Sequence, residues 1–369
     1  MQADVAVRRA RLAAQRLTDA TRLRADPAAI ARAVCGIQAQ DMRAAQLALR
    51  VRSTGLTVAI VDEAIARKRS VVRTWLMRGT LHLVAGEDVR WMLGLLGPFI
   101  DRRDETRRRQ LELDAALCKR GVAAMRKLLS GGPMTRPQLR EQLRARGLPI
   151  AATGQAMIHL VAHAAHIGAV CYGPPQGRQS TIVLFEDWVP LSDRPRGDAA
   201  LAELARRYMS GYGPATTQDF AAWSSLPAAQ ARGAISAIRG ELQEVPSPWG
   251  TLWALRGKRL RGKHPTESSA PTVRLLPSWD TYTLGYRSRD SMLDPRHVNR
   301  FQAGGLFYQS VCVDGRLEGA WRLATSARDA TIEIDAFESR LTVPRGALDA
   351  ETAAIGHFLG IPARWTSRA

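Results

Sequence analysis

The sequence predicts a mixed α+β protein: three tandem winged-helix units followed by a C-terminal β-rich subdomain, packed as one compact body. Three observations predict it. First, Ser130-Gly131-Gly132-Pro133-Met134-Thr135-Arg136-Pro137-Gln138-Leu139 is echoed by Ser210-Gly211-Tyr212-Gly213-Pro214-Ala215-Thr216-Thr217-Gln218-Asp219-Phe220, each after a helix and before a second helix and a β-hairpin. Second, an earlier stretch repeats that order of helices and hairpin in a more diverged form. Third, the chain beyond residue 261 changes to short alternating strands, with no low-complexity linker before them. The corresponding boundaries are 1–100, 101–190 and 191–260 for the three units and 261–369 for the β-rich part.

Taken in order, residues 8–35 predict two helices, the second opened by Asp26 as cap and Pro27 at the first helical position. Residues 41–52 predict an amphipathic helix with Leu47 and Val51 inward, and 57–68 another. Residues 70–76 and 80–84 predict strands joined at Arg78-Gly79, followed by a helix over 86–97. Residues 101–120 predict a charge-dense helix, whose plainer role is a solvated face with i,i+4 ion pairs. Thr135 and Thr216 suit N-caps with Gln138 and Asp219 three residues on; Asp is the less usual partner. Helices over 151–167 and 227–239 and hairpins over 170–186 and 242–255 complete the second and third units. Strands are expected at 273–276, 306–313, 316–323 and 329–335, with Asp314-Gly315 as a two-residue hairpin turn. A final helix is expected over 345–358.

Charge narrows the partners. Across 369 residues, 53 Lys+Arg stand against 34 Asp+Glu, a formal net charge of +19, almost all of the excess being arginine. Such an excess favours phosphate partners, since neutralising phosphates releases condensed counterions; an arginine-rich proteome is the alternative source. Cys35, Cys118, Cys171 and Cys312 stand far apart with no Cys-x-x-Cys, which argues against structural zinc or a disulfide framework. No apolar leader follows Met1 and no run of eighteen apolar residues occurs, so a soluble, cytoplasmic protein is expected. Walker, dinucleotide-binding, nucleophile-elbow and His-Glu-x-x-His motifs are all missing, and no cofactor or metal is expected.

The stretch that organises the rest is Cys35-Gly36-Ile37-Gln38-Ala39-Gln40-Asp41. Residues i and i+2 point apart on a helix but share a side in extended chain, so Gln38 and Gln40 can act together only where helical periodicity breaks. Gly36 makes that break cheap. Some thirty residues on comes Val72-Arg73-Thr74-Trp75-Leu76-Met77-Arg78-Gly79-Thr80-Leu81-His82, and later Leu276-Pro277-Ser278-Trp279-Asp280-Thr281-Tyr282. Together these segments resemble the winged-helix DNA glycosylases of the AlkZ/YcaQ type, over most of the chain. The resemblance implies a C-shaped, monomeric DNA glycosylase acting on double-stranded DNA that contains alkylated guanine. Gln38-Ala39-Gln40 matches the family's catalytic Gln-aliphatic-Gln form. That double-glutamine branch is associated with bulky antibiotic-derived adducts, interstrand crosslinks and self-resistance of producing bacteria.

The residue chemistry is compatible. An amide does not titrate and cannot serve as an ordinary general base, but it can hold a water and set a carbonyl dipole against developing positive charge. Gln38 and Gln40 are therefore the candidate catalytic residues, with Asp41 the adjacent titratable rival and His82, Asp280 and Tyr282 candidate supporters. Trp279 and Tyr286 are placed in the same cleft or, equally, in packing. Successive hairpin residues face opposite ways, so Arg73, Trp75 and the turn do not all share one face; Arg78 and His82 are expected near phosphate or lesion, Trp75 in the core. The candidate DNA-binding residues are Arg43, Arg73 and Arg78, with Lys258, Arg259, Arg261 and Lys263 in a basic loop ending at His264. His159, His163 and His166 share a helical face, but with no nearby carboxylate or cysteine expected to complete the set they are read as structural or phosphate-facing rather than metal ligands. A non-catalytic winged-helix regulator is the competing reading.

Overall fold

The computed structural model describes residues 2–151, 154–177, 179–192, 195–257, 271–338 and 343–368. Helices open the chain at Gln2–Ala14 and Pro27–Ala33, the second capped by the Asp26 carboxylate on the amides of Ala28 and Ala29. Met42–Val51 follows, capped by Asp41, with Leu47 and Val51 buried as its periodicity requires. Val58–Ala66 is capped by Thr57. Thr135 and Gln138 close a capping box at the start of Arg136–Ala145, and Thr216 and Asp219 close another at the start of Thr217–Ser224. Asp at N3 does what Glu or Gln does, because the side chain needs only to reach the cap's own N–H.

Two of the three expected hairpins fuse. Val71–Leu76 pairs antiparallel with Thr80–Ala85, while Val170–Gln176 pairs with Gln179–Leu184, and Arg73 opposite Tyr172 joins the two hairpins edge to edge. Ile37–Gln38 and Met134–Thr135 extend the outer sides, giving one six-stranded antiparallel sheet. Edge strands left open are templates for unwanted pairing; here each hairpin covers the other's edge. The third hairpin, Leu242–Ser247 with Gly250–Leu255, remains a separate two-stranded sheet, bridged at Trp253 to Ala215.

The β-rich C-terminal part is a five-stranded sheet: Val273–Leu276, Ser310–Val313, Arg316–Thr325, Ala330–Ala336 and Ala363–Ser367 in spatial order. Asp314 (φ 46°) and Gly315 (φ 86°) make the expected turn, both in the left-handed region that such two-residue loops demand. The helix Arg345–Leu359 carries the chain to its last strand, which pairs parallel with Ala330–Ala336. Buried Leu47, Val311, Trp321, Ile334 and Phe358 belong to one apolar cluster, which fastens Met42–Val51 to this sheet.

Two expectations are corrected: the strand expected over 306–313 is split, Leu306–Phe307 pairing with Gln302–Ala303 while Ser310–Val313 joins the five-stranded sheet, and the helices after residue 86 differ. In place of separate helices over 86–97 and 101–120, a single helix runs Gly86–Gln110, and Asp114 caps a new one at Ala115–Leu129. Pro98 lies inside the longer helix. A proline there removes one hydrogen bond, but Leu93, Leu96 and Ile100 are all buried on either side of it, and that packing carries the helix through. The expected surface ion pair of this stretch is present, Arg109 to Glu105 at i,i+4. No described helix is long and apolar enough to cross a membrane.

Candidate active site

The glutamine pair sits where one helix ends and another begins. Pro27–Ala33 stops in a Schellman arrangement: Gly36 N–H donates to Ala31 O at 2.8 Å and Cys35 N–H to Arg32 O at 3.1 Å. Cys35 (φ 55°) and Gly36 (φ 101°) are both left-handed, and they turn the chain out of the helix. Ile37 and Gln38 then pair with Leu83 and His82, and Ala39 N–H donates to Leu81 O at 2.6 Å. Asp41 starts the next helix. The two glutamines therefore lie on a short extended link, the local geometry their spacing demands.

Each amide is held through its carbonyl oxygen. Gln38, only 7% exposed, accepts a 2.6 Å hydrogen bond at Oε1 from Arg78 Nη2. Gln40 is exposed and accepts at Oε1 from the Leu81 N–H at 2.9 Å. One lone pair on each oxygen remains for another partner. Arg73 braces the link from its backbone: Nε donates to Ala39 O at 2.9 Å and Nη2 to Gln40 O at 3.2 Å, with Nη1 on Ser180 Oγ. Its guanidinium also lies over the Tyr172 ring at 4.7 Å. Expected as a DNA contact, Arg73 has three of its five N–H donors engaged within the protein.

His82 stands directly across from Gln38, and Thr74 lies on its other side, so the three share one face of the sheet. The ring is 2% exposed and its Nδ1 is 2.9 Å from Thr80 O, which fixes the proton on Nδ1. Burial, with the Arg78 charge second, pushes its pKa down to about 3 against the opposing Thr80 contact. The imidazole is thus neutral. Cys35, also fully buried, has its thiol pushed up to about 12 mainly by desolvation and offers no nucleophile. Arg78 occupies the left-handed region at φ 60° and gives Nη1 to Trp223 O at 3.2 Å. Among the described residues no carboxylate pairs with it.

Other candidates are placed elsewhere. Asp41 is spent as the helix cap, accepting from Ala44 N–H at 2.8 Å, and Arg43 donates to Thr325 Oγ1 at 2.9 Å. Asp280 and Tyr282 do not line the site: both are fully buried, Asp280 bidentate to Arg52 at 2.7 and 2.8 Å and Tyr282 donating to Gly315 O. Tyr286 is likewise buried, donating to Tyr212 O, and Trp75 packs on Tyr172 with ring centres 5.2 Å apart. Trp279 is half-buried at φ 54°. Lys258, Arg259, Arg261, Lys263 and His264 lie outside the described residues.

The histidine helix needs a correction. A carboxylate does stand beside it: Asp101, from the long helix, is 2.7 Å from His163 Nδ1 and 3.8 Å from His166 Nδ1. Burial raises the Asp101 carboxyl, but the His163 hydrogen bond, the nearby His166 and the Arg108 charge outweigh it and hold the group well below the usual carboxylate range. Among the described residues no cluster suits a metal ion. The residue that sequence reasoning missed is Arg289. It lies near enough to Arg78 to depress that guanidinium further, and nothing in the sequence links two arginines so far apart.

A family model described as DNA glycosylase AlkZ-like matches residues 31–358. An interstrand DNA cross-link repair glycosylase of Streptomyces sahachiroi is 26% identical over 352 residues, covering 89% of each chain. The solved structure of the Streptomyces sahachiroi DNA glycosylase AlkZ superposes with a TM-score of 0.83 at 23% identity, covering 98% of this chain and 99% of the other.

Proposed function

This chain belongs to the AlkZ-like DNA glycosylase family, and from that premise we propose that it is a monofunctional enzyme hydrolysing the N-glycosidic bond of N7-alkylguanine in duplex DNA. Its substrates in this reading include bulky antibiotic adducts and interstrand crosslinks, in base excision repair that protects a producing cell. The Streptomyces sahachiroi relative is named for cross-link repair, which supports the crosslink part. We read the three helix-and-hairpin segments as winged-helix units; the two capping boxes and the hairpins support this.

The observation that carries the proposal is the pair of oriented amides on one extended link, beside a neutral imidazole. Alkylation at N7 makes the base cationic, so it leaves with the bonding electron pair as a neutral molecule and needs no general acid. The sugar becomes oxocarbenium-like at C1′, and a water adds there and loses a proton to solvent. Amides suit this chemistry. Gln38 and Gln40 accept no proton, but the free lone pair on each carbonyl orients the water and faces the developing cation. No lysine lies in the motif to form a Schiff base, hence monofunctional. The exposure of Gln40 supports an open cleft that reaches a tethered base without complete extrusion from the stack.

The test is base release. Duplexes carrying N7-methylguanine or a bulky guanine adduct are incubated with enzyme and heated in alkali, and strand breaks are counted. Gln38→Ala and Gln40→Ala are each expected to lower the rate by on the order of a hundredfold. Sequence-specific footprints without base release would instead favour the regulator reading. The pH profile should lack an acidic limb set by a carboxylate; an apparent pKa near 4 to 6 that vanishes in Asp41→Asn would transfer the base role to Asp41.

A further inference from the structure

The turn that carries Arg78 is clasped by a residue that the hydrolysis itself does not use. Arg103, on the long helix, has a half-exposed guanidinium whose three nitrogens each donate once. Nη2 gives to Arg78 O at 3.1 Å, Nη1 to Ser225 Oγ at 3.4 Å and Nε to the neighbouring Asp104 carboxylate at 3.1 Å. Arg78 and Ser225 are both left-handed, at φ 60° and 61°. Arginine and serine seldom adopt that backbone, and they keep it only where their neighbours impose it. Ser225 ends the helix Thr217–Ser224, and two residues earlier Trp223 O accepts Arg78 Nη1 at 3.2 Å. The contacts close a ring: Arg103 holds the Arg78 backbone and Ser225, and the Arg78 side chain returns to Trp223. From this ring Arg78 Nη2 reaches Gln38 Oε1 at 2.6 Å. Gly79 leaves room for the clasp. It stands at φ 69°, and a Cβ there would overlap Arg103 Nη2 and press on Ile100 Cγ2 at 3.1 Å.

We propose that Arg103 is a positioning residue for base release: it fixes the turn at Arg78 in its left-handed form, and through Arg78 it sets the direction of the Gln38 carbonyl. This rests on the catalytic reading of Gln38. An amide that orients water acts through its direction, and a displacement of about 1 Å in such a group costs on the order of a hundredfold in rate. Arg78 does not fix that direction alone. Its side chain is long and flexible, so both of its ends must be held for Nη2 to stay on Gln38. Trp223 O holds the guanidinium end, and Arg103 holds the backbone end. Arginine suits the task because its planar fork serves Arg78 O and Ser225 Oγ together, whereas a lysine ammonium is a point charge on a flexible stem. The long helix thereby takes part in the site without touching the DNA base or the water.

The experiment is a double-mutant cycle on single-turnover release of N7-methylguanine from duplex DNA at saturating enzyme. Affinity for a duplex carrying a tetrahydrofuran abasic analogue is measured beside it by fluorescence anisotropy, and circular dichroism melts confirm that each variant is folded. Arg103→Gln should lower the rate constant roughly tenfold. Arg103→Lys keeps the charge, so its affinity should stay within about twofold of wild type while its rate constant falls nearly as far. In an Arg78→Gln background, Arg103→Gln should cost less than about a further twofold, because its route to Gln38 is already cut. The proposal is overturned if Arg103→Lys releases base at the wild-type rate, which would make the residue a plain charge contact with DNA. It is overturned equally if the losses in Arg78→Gln and Arg103→Gln multiply. Failure of the catalytic reading looks different: wild type would release no base from any adduct, or Gln38→Ala would release it at full rate, and this inference would fall with it. Release that depends on Gln38 and not on Arg103 sinks the positioning role alone.

Discussion

Arg52 and Arg78 are both arginines drawn into the interior, and the fold treats them in opposite ways. Arg52 is fully buried and its charge is matched: two bonds to the Asp280 carboxylate, with Gln15, Thr281 and Ala48 O around them, Nε alone lacking a partner. Those partners tie the first helix, the Met42–Val51 helix and the segment after Leu276 into one knot. Arg78 is half-buried and meets only neutral oxygens. The first is a closed account of charge, and such knots specify a packing. The second meets only neutral acceptors beside the buried Gln38 amide, and in the proposed reading its charge is open to DNA. The difference separates a neutralised arginine from an open one, which composition alone cannot do.

The largest expected effect breaks the knot. Asp280→Ala leaves Arg52 buried without its counter-ion and should lower the free energy of unfolding by about 3–5 kcal/mol, read from denaturant titration. Replacing both partners, Arg52→Met with Asp280→Leu, should recover most of that loss. Arg78→Gln should do the reverse of Asp280→Ala: stability stays within about 1 kcal/mol, because no ion pair is lost, while single-turnover base release falls roughly 10- to 100-fold. Equal loss of stability in the two single variants would erase the contrast.

His82 gives a smaller, pH-dependent signature of the same site. Its folded pKa of about 3 lies below the ordinary 6.5, so between those values the unfolded chain binds a proton that the folded one does not. Stability should therefore fall as pH drops from about 6.5 toward about 3, by at most about 1.4 kcal/mol per pH unit, and His82→Gln should flatten that part of the curve. A wild-type curve unchanged by the substitution would show that His82 is not held neutral by burial. The smallest effect is at Asp41. Asn caps helices as well as Asp does, so Asp41→Asn should change stability by less than about 0.5 kcal/mol and leave the release rate within about twofold.

Local signals carried much of the fold. Capping residues announced helix starts at Asp26, Thr135 and Thr216, Asp314-Gly315 announced its turn, and alternation announced the strand at 329–335, observed at Ala330–Ala336. Where expectation failed, a distant partner had decided. The helix through Pro98 is maintained by burial on both sides of the proline, and the closing strand Ala363–Ser367 exists because Ala330–Ala336 lies beside it. In the site, the Gln38–Gln40 spacing predicted an extended link because side-chain direction follows backbone period, a property of neighbouring residues only. Asp280 and Tyr282, drawn toward the site by a motif, turned out to be interior anchors.

By itself, then, the sequence determined the net positive charge, the local caps, and the break in helical backbone that places Gln38 and Gln40 between two helices. These follow from composition and from interactions among residues a few positions apart. Only the tertiary structure decided which arginine is neutralised and which is left open, that His82 is neutral, and that Asp280 and Tyr282 are interior anchors. Charge pairing and desolvation depend on distances through space, and no periodicity along the chain encodes them.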